Sequence, residues 1–440
     1  MKNISLNSKT ITSGATFVAI AGDNHHGADF VTDAINNGAK AIISDKKITA
    51  SVPVVVDENL ANNLDKLANE YYPLAKNQKI IAITGTNGKT SVASFLSQTL
   101  SGLGVKNQII GTLTSDLTTP DIFSLYQKLH TFDGEYSILE VSSHALIQQR
   151  TKGLEFEIAI WTNLTQDHLD YHHSMEEYAQ AKLLITNQAK FGIFNADSKF
   201  YPQFAAKLSH DSYSLEDIKA EVREFGFLCN IDNILFETNL VGEFNLYNFL
   251  AAYKTLLKLG FDKLEILKKM SDLTNPAGRM QKIDGHNIWI DFAHTPDGLK
   301  NALLTLKIHY PENKITVIFG CGGDRDKSKR AKMGKIAGDH ADRVILTNDN
   351  PRSENPTDII NDIMIGTNKE LQVIEDRALA IEAGISGIEA EEVTRTRGRG
   401  LRKLKDDECV LIAGKGAENY QIIGDEALPF NDFDIVNNLV

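Results

Sequence analysis

The sequence predicts an α/β protein of three domains with mostly parallel sheets. Three observations support this fold class: short apolar runs alternate with stretches of helical periodicity, glycine-rich turns follow several of the runs, and polar residues cluster where the runs end. A chain of 440 residues is long enough for about two to four domains. We place the domains at residues 1–76, 77–272 and 273–440.

The composition narrows the class of protein. Hydrophobic residues make up 42% and charged residues 24%, which is typical of a globular protein with a sizeable core. The net charge of -12 argues against general nucleic-acid binding and against an anionic membrane surface as partner. Three widely spaced cysteines without a Cys-x-x-Cys pair argue against disulfides and structural zinc. Because we find neither a signal-peptide core nor a run of membrane-spanning length, we expect a cytoplasmic protein.

The first 76 residues are predicted to form a small α/β unit. Apolar runs predict strands at 16–20, 41–44 and 52–56, and helical periodicity predicts helices at 30–37 and 59–70. A polar turn, 22–27, follows the first of these strands. It is either an ordinary surface loop or a ligand-binding loop at a strand end.

The most informative motif opens the second domain. An apolar run at 80–83 predicts a buried strand, and helical periodicity resumes at Val92. Strand, glycine-rich turn, lysine, hydroxyl and helix form the arrangement that binds a triphosphate. Backbone N–H groups and the helix N-terminus face the phosphates, Lys89 neutralises them, and the Thr90 hydroxyl can bind Mg²⁺. The residues of the turn are Gly85, Thr86, Asn87, Gly88, Lys89, Thr90 and Ser91.

The spacing of this turn differs from that of a Walker A motif. The position five residues before the Gly-Lys pair is Ile83 rather than glycine, so the turn is shorter. The alternative is a chance Gly-Lys-Thr sequence in a turn. The flanking strand and helix favour nucleotide phosphate binding over that alternative.

Polar clusters follow two further strands of the second domain. The strand predicted at 137–141 runs into the cluster 140–144, and the strand at 158–161 precedes the segments 162–163 and 167–172. Because open α/β sheets bind ligands at the carboxyl ends of their strands, these clusters should meet near the phosphate turn. A carboxylate there is a natural Mg²⁺ ligand, and a histidine can join it. Each cluster taken alone is more typical of capping or packing.

The remaining segments are assigned from periodicity. Lys182 lies off the apolar stripe of a helix predicted at 176–189, which indicates a solvent-exposed lysine. Further predictions in this domain are a strand at 191–194, antiparallel strands within 207–240, and a helix at 242–259 capped by Gly260. Strands of the third domain are predicted at 288–292, 315–319, 344–347 and 410–413, each followed by polar residues. We interpret the charged stretch 389–405 as an exposed loop and assign it no function.

In this order the motifs resemble those of the Mur ligases of peptidoglycan synthesis. The resemblance covers nearly the whole chain. Three segments, 322–326, 349–352 and 414–420, are most similar to the members that add the third residue of the stem peptide, the MurE type. The resemblance implies three domains: a small N-terminal domain that binds a UDP substrate, a central P-loop-like ATPase domain, and a C-terminal Rossmann-like domain that binds an amino acid. The other matching segments are 85–90, 140–144, 162–163, 167–170, 278–280 and 291–296.

The resemblance also implies roles for individual residues. Residues 85–91 would bind ATP, and Asn245, Arg279, Asp291 and His294 would surround the nucleotide. The catalytic and metal positions would be Lys89, Thr90, Glu140, His168 and Lys182, with two Mg²⁺ ions and a carbamylated Lys182. This role reverses the interpretation of Lys182 as a surface residue. Contacts to UDP-N-acetylmuramoyl-L-alanyl-D-glutamate would come from Leu6, Ser8, Asp23, Asn24, His25, Thr118, Thr119, Ser142, Gln148 and Arg150.

The segment 349–352, Asp-Asn-Pro-Arg, resembles that of members that add meso-diaminopimelate rather than L-lysine. Diaminopimelate carries a second amino-acid head, whose carboxylate suits a bidentate arginine. The bare ammonium of lysine would instead be repelled by Arg352. Glu418 is suited to the remote ammonium of diaminopimelate. The implied pocket consists of Arg325, Asp349, Asn350, Pro351, Arg352, Gly414 and Glu418.

The chain departs from the family pattern at three places. Asn7-Ser8-Lys9 stands where Asp-Ser/Thr-Arg is usual, and Leu117 stands where an asparagine usually precedes the paired threonines. Ala417 stands where a histidine is common. None of these positions belongs to the predicted ATP or metal residues.

The resemblance implies ATP-dependent amide synthesis through an acyl phosphate, by a cytoplasmic monomer without nucleic-acid partner or membrane insertion. Four alternatives are weighed against it. A MurE-type ligase that adds L-lysine is disfavoured by Arg352. A folylpolyglutamate synthase-like ligase, with the same acyl-phosphate chemistry, is disfavoured by Arg352 and by the N-terminal unit. Ile83 and the third α/β domain disfavour a P-loop kinase or NTPase, and a non-catalytic scaffold would leave the metal and lysine positions without purpose.

Overall fold

The computed structural model describes residues 3–22, 25–115, 117–388 and 404–440. Within these residues, three sheets are wholly or mostly parallel, one three-stranded sheet is antiparallel, and one further pair of strands forms a hairpin. This confirms the predicted α/β class with mostly parallel sheets. The charged stretch predicted at 389–405 lies outside the described residues, apart from Leu404 and Lys405.

The first sheet is parallel, with strands in the order β1-β2-β3-β4. The sequence does not predict β1, because two residues are too few to show an alternation. The two helices are shorter than predicted, since each follows a 3₁₀ turn, Gly27–Phe30 and Leu60–Asn62. The elements are β1 (Ile4–Ser5), β2 (Thr16–Ala19), α1 (Val31–Asn36), β3 (Ala41–Ser44), β4 (Val54–Val56) and α2 (Leu64–Tyr71).

The second sheet contains six parallel strands in the order β10-β9-β8-β5-β7-β6. The chain places β6 and β7 on one side of β5 and then crosses to the other side, so β5 lies at a topological switch point. Ligands bind at such points in open α/β sheets, and the glycine-rich turn follows β5 directly. The elements are β5 (Lys79–Thr84), α3 (Lys89–Gly102), β6 (Asn107–Ile110), α4 (Ile122–Thr131), β7 (Tyr136–Glu140), α5 (Ser143–Ile147), β8 (Ile158–Trp161), α6 (Leu169–His172), α7 (Met175–Leu183), β9 (Gly192–Asn195), α8 (Tyr201–Ala205) and β10 (His210–Tyr213).

A small antiparallel sheet follows, with strands in the order β11-β12-β13. The prediction of antiparallel strands within 207–240 is therefore right for these three strands. It is wrong for β10, which extends the second sheet by pairing in parallel with β9, because alternation does not reveal strand direction. Gly260 follows the next helix with φ of +92°, which confirms the predicted cap. The elements are β11 (Lys219–Val222), β12 (Phe227–Ile231), β13 (Ile234–Thr238), α9 (Glu243–Lys258) and α10 (Lys263–Met270).

The third large sheet has the order β14-β15-β19-β16-β17-β18 and is parallel except for the β14–β15 pair. Its last strand in the chain, β19, inserts between β15 and β16, so the loops after these three strands adjoin one another. The elements are β14 (Gln281–Lys282), β15 (Ile288–Asp291), α11 (Pro296–His309), β16 (Lys314–Phe319), α12 (Arg330–His340), β17 (Arg343–Leu346), α13 (Pro356–Met364), β18 (Gln372–Val373), α14 (Arg377–Ser386), β19 (Glu408–Ala413), β20 (Tyr420–Ile423), β21 (Glu426–Pro429) and α15 (Asp432–Asn437).

The units are sheets covered on their faces by helices, and β5, β7, β8 and β19 are buried almost throughout. The proposed boundaries near residues 76 and 272 fall between sheets. Cys229, Cys321 and Cys409 are free and buried. Among the described helices, none has both the length and the apolar character that a bilayer crossing requires.

Candidate active site

The turn after β5 is built around two glycines. Gly85 has φ of +152° and Gly88 has φ of +89°. A Cβ at Gly85 would lie 1.9 Å from Thr162 Oγ1, and a Cβ at Gly88 would lie 2.4 Å from Asn248 Oδ1. Both positions need glycine, because the backbone of the turn passes directly against the end of β8 and against α9.

The side chain of Lys89 folds back onto the backbone of the turn. Its Nζ donates to the carbonyl oxygens of Gly85 and Thr86, both at 2.9 Å. Burial lowers the pKa of Lys89, and the charges of Glu140 and Asp167 oppose this shift. A partly buried amino group beside the N-terminus of α3 is well placed to bind an anion such as phosphate.

The segment after β8 holds the rest of the turn in shape. The backbone N of Asn87 donates to Asn163 Oδ1 at 3.0 Å, and Asn163 Nδ2 donates to the Asn87 carbonyl at 3.1 Å. Thr86 Oγ1 donates to the carbonyl of Thr165 at 3.1 Å. Ser91 is buried within α3. The structure thus gives the sequence-predicted turn a fixed backbone conformation.

Glu140 supplies a buried carboxylate beside the turn. Its Oε2 accepts a hydrogen bond from Thr90 Oγ1 at 2.8 Å, and Thr112 donates its backbone N to Oε1 at 3.0 Å. Among the described residues, no group of three or more His, Cys, Asp or Glu side chains could hold a metal by itself. Mg²⁺, however, prefers oxygen ligands and is usually bound by one or two carboxylates together with phosphates and water. Glu140 and Thr90 therefore fit a Mg²⁺ ion that also contacts phosphate.

His168 stands at the start of α6, with φ of +55°. Its Nε2 lies 3.4 Å from Asp167 Oδ2, and its ring meets the ring of His144 edge to face, with 4.9 Å between centroids. Burial lowers the pKa of His168 to about 3, so the imidazole is neutral at physiological pH. Neutral imidazole is the form that ligates metals, and a carboxylate commonly fixes its orientation. The residue fits its predicted metal role.

Lys182 is buried, which corrects its interpretation as a surface lysine. It is 1% exposed, and its Nζ donates to the Gly85 carbonyl at 2.9 Å. The periodicity misleads because this side of α7 faces the phosphate turn and not water. Burial, and then the charge of Lys89, hold the pKa of Lys182 well below its usual range. A lowered pKa increases the uncharged fraction of the amine, and the uncharged amine is the form that reacts with CO₂.

Side chains of the third unit reach the phosphate turn. Arg279 Nη2 donates to Thr90 Oγ1 at 3.4 Å, and the Arg279 guanidinium stacks 4.1 Å over the ring of Phe292. Asp291 accepts a hydrogen bond from the backbone N of Met280 at 2.6 Å, and burial raises its pKa. The predicted nucleotide residue Arg279 is therefore in direct contact with the turn, and Asp291 fixes the backbone next to it.

The other two predicted nucleotide residues lie close by. His294 Nε2 is 3.6 Å from Asp167 Oδ2. Asn245 Oδ1 accepts a hydrogen bond from Asn248 Nδ2 at 3.0 Å, and Asn248 Oδ1 faces Gly88. Asn245 therefore reaches the phosphate turn through Asn248, and His294 is linked to the proposed metal site through Asp167.

The second-domain residues predicted to bind the dipeptide form one group at the end of β7. Thr119 Oγ1 accepts a hydrogen bond from Ser142 N at 3.0 Å. Arg150 Nη1 donates to the Thr119 carbonyl at 2.8 Å, and Arg150 Nε donates to Gln148 Oε1 at 3.0 Å. Thr118 Oγ1 lies 3.2 Å from Thr112 Oγ1, and Thr112 Oγ1 in turn donates a hydrogen bond to Glu140. This group adjoins the proposed metal position.

The first-domain candidates are only partly described. Asp23 and Asn24 lie outside the described residues. Ser8 is buried and His25 is exposed, while Leu6 packs against the core that the first and second units share. These residues stay candidates for the uridine side of a substrate.

Arg325 and Arg352 approach each other on the loops after β16 and β17, since a Cβ at Gly322 would lie 2.9 Å from Arg352 Nη1 and 3.7 Å from Arg325 Cγ. Arg352 has φ of +52°, and its Nη1 donates to the Gly323 carbonyl at 2.8 Å and to the Asn350 carbonyl at 3.3 Å. Burial, and then the charge of Arg325, lower the pKa of Arg352. Two guanidinium groups near enough to repel each other form a site that favours a carboxylate ligand.

The rest of the predicted amino-acid pocket surrounds Arg352. Asn350 Nδ2 donates to Glu418 Oε2 at 3.1 Å. A Cβ at Gly414 would lie 2.6 Å from Asp349 Oδ2, so these two loops are in contact. Pro351 is buried beside them. The seven predicted pocket residues therefore all stand on loops that follow β16, β17 and β19.

A buried lysine modifies the expected role of Glu418. Lys415 is fully buried, and its Nζ donates to Glu418 Oε2 at 3.0 Å and to Asn350 Oδ1 at 3.1 Å. One oxygen of the carboxylate that was expected to bind a remote ammonium is thus already paired. Lys415 instead holds two pocket side chains in place.

Sequence reasoning missed several residues of the site. Each lies in or beside a recognised motif, but its burial and its partner cannot be inferred from a single sequence. Asp167 precedes His168, Lys415 follows Gly414, and Lys329 lies three residues after the segment 322–326. The missed residues are Asp167, Asn248, Asp297, Lys329 and Lys415.

Comparison with known families gives matches along the chain. The model described as "Mur ligase family, catalytic domain" matches residues 1–80, "Mur ligase middle domain" matches 83–256, and "Mur ligase, glutamate ligase domain" matches 278–416.

The chain is also similar to individual proteins. A UDP-N-acetylmuramoyl-L-alanyl-D-glutamate–2,6-diaminopimelate ligase of Rickettsia conorii is 36% identical over 477 residues, covering 100% of this chain and 96% of the relative. A solved structure of a ligase of that name is 30% identical with a TM-score of 0.60, covering 100% of this chain and 94% of the other. MurF from Acinetobacter baumannii, 18% identical with a TM-score of 0.70 and covering 99% and 93%, shares the fold.

Proposed function

The chain belongs to the Mur ligase family and is an ATP-dependent ligase, and we propose that it joins meso-diaminopimelate to UDP-N-acetylmuramoyl-L-alanyl-D-glutamate. The observation that carries the choice of amino acid is the proximity of Arg352 and Arg325, which both lie against Gly322. These two guanidinium groups favour a carboxylate, which diaminopimelate offers at its far end and L-lysine does not. The names of the relatives point the same way.

We assign the triphosphate of ATP to the turn after β5. Lys89 would neutralise the phosphates, and the N-terminus of α3 would face them. Thr90 and Glu140 would hold a Mg²⁺ ion, and His168 would join this metal site. Bound Mg²⁺ would offset negative charge on the transferring phosphoryl group.

The buried amine of Lys182 fits a carbamate. An uncharged lysine nitrogen can attack CO₂, and loss of one proton then gives an anionic group on Nζ. That anion would stand close to Lys89, whose charge lowers the pKa of Lys182 and would stabilise the carbamate. We therefore propose that carbamylated Lys182 supplies the oxygen ligand for a second Mg²⁺.

The reaction proceeds in two steps. A D-glutamate carboxylate oxygen of the dipeptide attacks the γ-phosphorus of ATP, the bond to the β-phosphate oxygen breaks, and ADP leaves. The amine of diaminopimelate then attacks the acyl carbon, the bond to phosphate breaks, and the nitrogen loses a proton as the amide forms. Thr119, Ser142 and Arg150 would position the dipeptide beside the turn, where Lys89 and Arg279 offset charge.

The two substrates bind to different units. The phosphate turn follows a strand of the second sheet, and the two arginines follow strands of the third. The amine of diaminopimelate therefore reaches the acyl phosphate only when the third unit packs against the second. The segment 275–278 joins the two units and is our candidate hinge. We further propose that the enzyme works in the cytoplasm as a monomer.

Phosphate release tests this function. Purified protein with ATP and Mg²⁺ should release phosphate only when the muramoyl dipeptide and meso-diaminopimelate are both present, and mass spectrometry should show a product heavier by one diaminopimelate residue. The Lys89→Ala variant, incubated with the same substrates and buffer, serves as the matched control, since it lacks the amino group that binds the carbonyls of the phosphate turn. Release that needs a folate substrate, or that needs no amino acid, would contradict the proposal.

A further inference from the structure

Asp167 lies where the second and third units meet, and it is contacted from both. From its own unit, His168 Nε2 lies 3.4 Å from Asp167 Oδ2. From the third unit, Lys329 Nζ donates to Asp167 Oδ1 at 3.4 Å, and His294 Nε2 lies 3.6 Å from Oδ2. We call these four residues the Asp167 junction.

The central ion pair of the junction is shielded from water. The side chain of Lys329 is 6% exposed and that of Asp167 is 7% exposed. Across the interface, one oxygen of the Asp167 carboxylate faces the ammonium group of Lys329 and the other faces the imidazole of His294.

A buried ion pair between two units fixes their relative orientation more than it strengthens their association. Its Coulomb attraction is largely offset by desolvation, whereas a buried charge without its partner is strongly unfavourable. An arrangement that places Lys329 opposite Asp167 costs little free energy, whereas an arrangement that leaves either charge buried without its partner costs much more. The pair therefore selects one arrangement of the third unit on the second.

Neighbouring contacts fix the same arrangement. Gln166 Nε2 donates to Ser328 Oγ at 2.8 Å and to Asp326 Oδ2 at 3.1 Å. On the other side, Asn87 of the phosphate turn donates to Asp297 Oδ2 at 3.0 Å, at the N-terminus of α11. The 3₁₀ turn that carries Lys329 is thus held against the segment that carries Asp167 and His168.

We propose that Lys329 is a positioning residue of the ligase: when the third unit packs on the second, its ammonium group fixes Asp167, and Asp167 fixes the ring of His168. Completion of the metal site then depends on the unit that delivers the amino acid. This couples phosphoryl transfer to the closed arrangement and limits ATP hydrolysis in the open one. The proposal rests on the proposed function in so far as it gives His168 a metal role.

The test compares three lysine variants. Lys329→Met removes the charge but keeps the length of the side chain, Lys329→Arg keeps the charge, and Lys335→Met is the matched control on α12, since Lys335 is exposed and pairs with Asp339 of its own helix. Each is assayed for kcat and for the KM of ATP, and its melting temperature verifies folding. We expect Lys329→Met to lose about 10- to 100-fold in kcat, the effect typical of residues that orient a metal ligand, with the KM of ATP changed by less than about twofold. Lys329→Arg should recover part of kcat, and Lys335→Met should match the wild type.

Small-angle X-ray scattering with a non-hydrolysable ATP analogue and Mg²⁺ gives a second readout that needs no amino-acid substrate. The wild type should become more compact, and Lys329→Met should compact less at the same analogue concentration. Equal compaction and equal kcat in the two proteins would overturn the proposal, as would a wild type that does not compact. If compaction differs but the wild type does not use diaminopimelate, Lys329 retains its positioning role and the proposed substrate is wrong.

Discussion

Replacing Lys182 with alanine is expected to abolish ligation while leaving the fold intact. The residue is fully buried 2.9 Å from the Gly85 carbonyl, and the proposed carbamate on its Nζ would hold a metal beside the phosphoryl group. Loss of one preorganised group that offsets transition-state charge costs about 10²- to 10³-fold in kcat, so we expect a loss of at least this size. The measurement is phosphate release at saturating ATP, dipeptide and diaminopimelate.

Bicarbonate separates the carbamate from a purely structural lysine. Wild-type activity should fall in CO₂-free buffer and return when bicarbonate is added, whereas added bicarbonate should not restore Lys182→Ala. Labelling with ¹³C-bicarbonate should give a carbamate signal by NMR in the wild type and not in the variant. Lys190→Ala is the matched control, because Lys190 is an exposed lysine that pairs with Glu155 and Glu157. Activity of Lys182→Ala close to that of the wild type would remove the carbamate from the account.

Replacing Arg352 with alanine is expected to raise the KM of diaminopimelate by about 10- to 100-fold. This range corresponds to losing a hydrogen-bonded ionic contact worth about 1.5–3 kcal/mol. The KM of ATP should change little, because the phosphate turn lies in another unit. Arg352 already has φ of +52° as a non-glycine residue, so alanine adds no backbone strain of its own. Steady-state kinetics with each substrate varied in turn provide the measurement.

Two further variants test whether the rise in the KM of diaminopimelate comes from the lost contact between Arg352 and the carboxylate. Arg352→Lys keeps the charge but loses the planar fork, so it should recover only part of the affinity. Arg223→Ala removes an exposed arginine that pairs with Glu221 on the antiparallel sheet, and it should behave as the wild type. A selective rise in the KM of ATP in Arg352→Ala would show that the pocket is misassigned.

The glycine turn shows how far the sequence can lead. A buried strand, two glycines, a lysine and a hydroxyl are local features, so the phosphate turn and the strand ends around it could be predicted without a structure. Glu140 beside Thr90 follows from the rule that parallel strands end at one edge. The pocket around Arg352 came from resemblance to known sequences, and the structure places its seven residues on adjoining loops.

Lys182 shows where such reasoning stops. Helical periodicity identifies which side of α7 is apolar, but not whether the other side faces water or another unit. Lys415 and Lys329 are similar, since each is a buried charged residue that hydrogen-bonds to a residue more than 60 positions away in the chain. The direction of β10 was missed for a related reason: pairing between strands is a property of the assembled sheet.

The central claim is that the arginine pair selects diaminopimelate, and direct competition tests it most directly. The wild-type enzyme is given ATP, Mg²⁺ and the muramoyl dipeptide with equal concentrations of meso-diaminopimelate and L-lysine, and the two tripeptide products are quantified by mass spectrometry. A site built around a polar contact discriminates strongly against a ligand that lacks it, so we expect the diaminopimelate product in roughly 100-fold excess or more. Equal amounts of the two products, or an excess of the lysine product, would contradict the account.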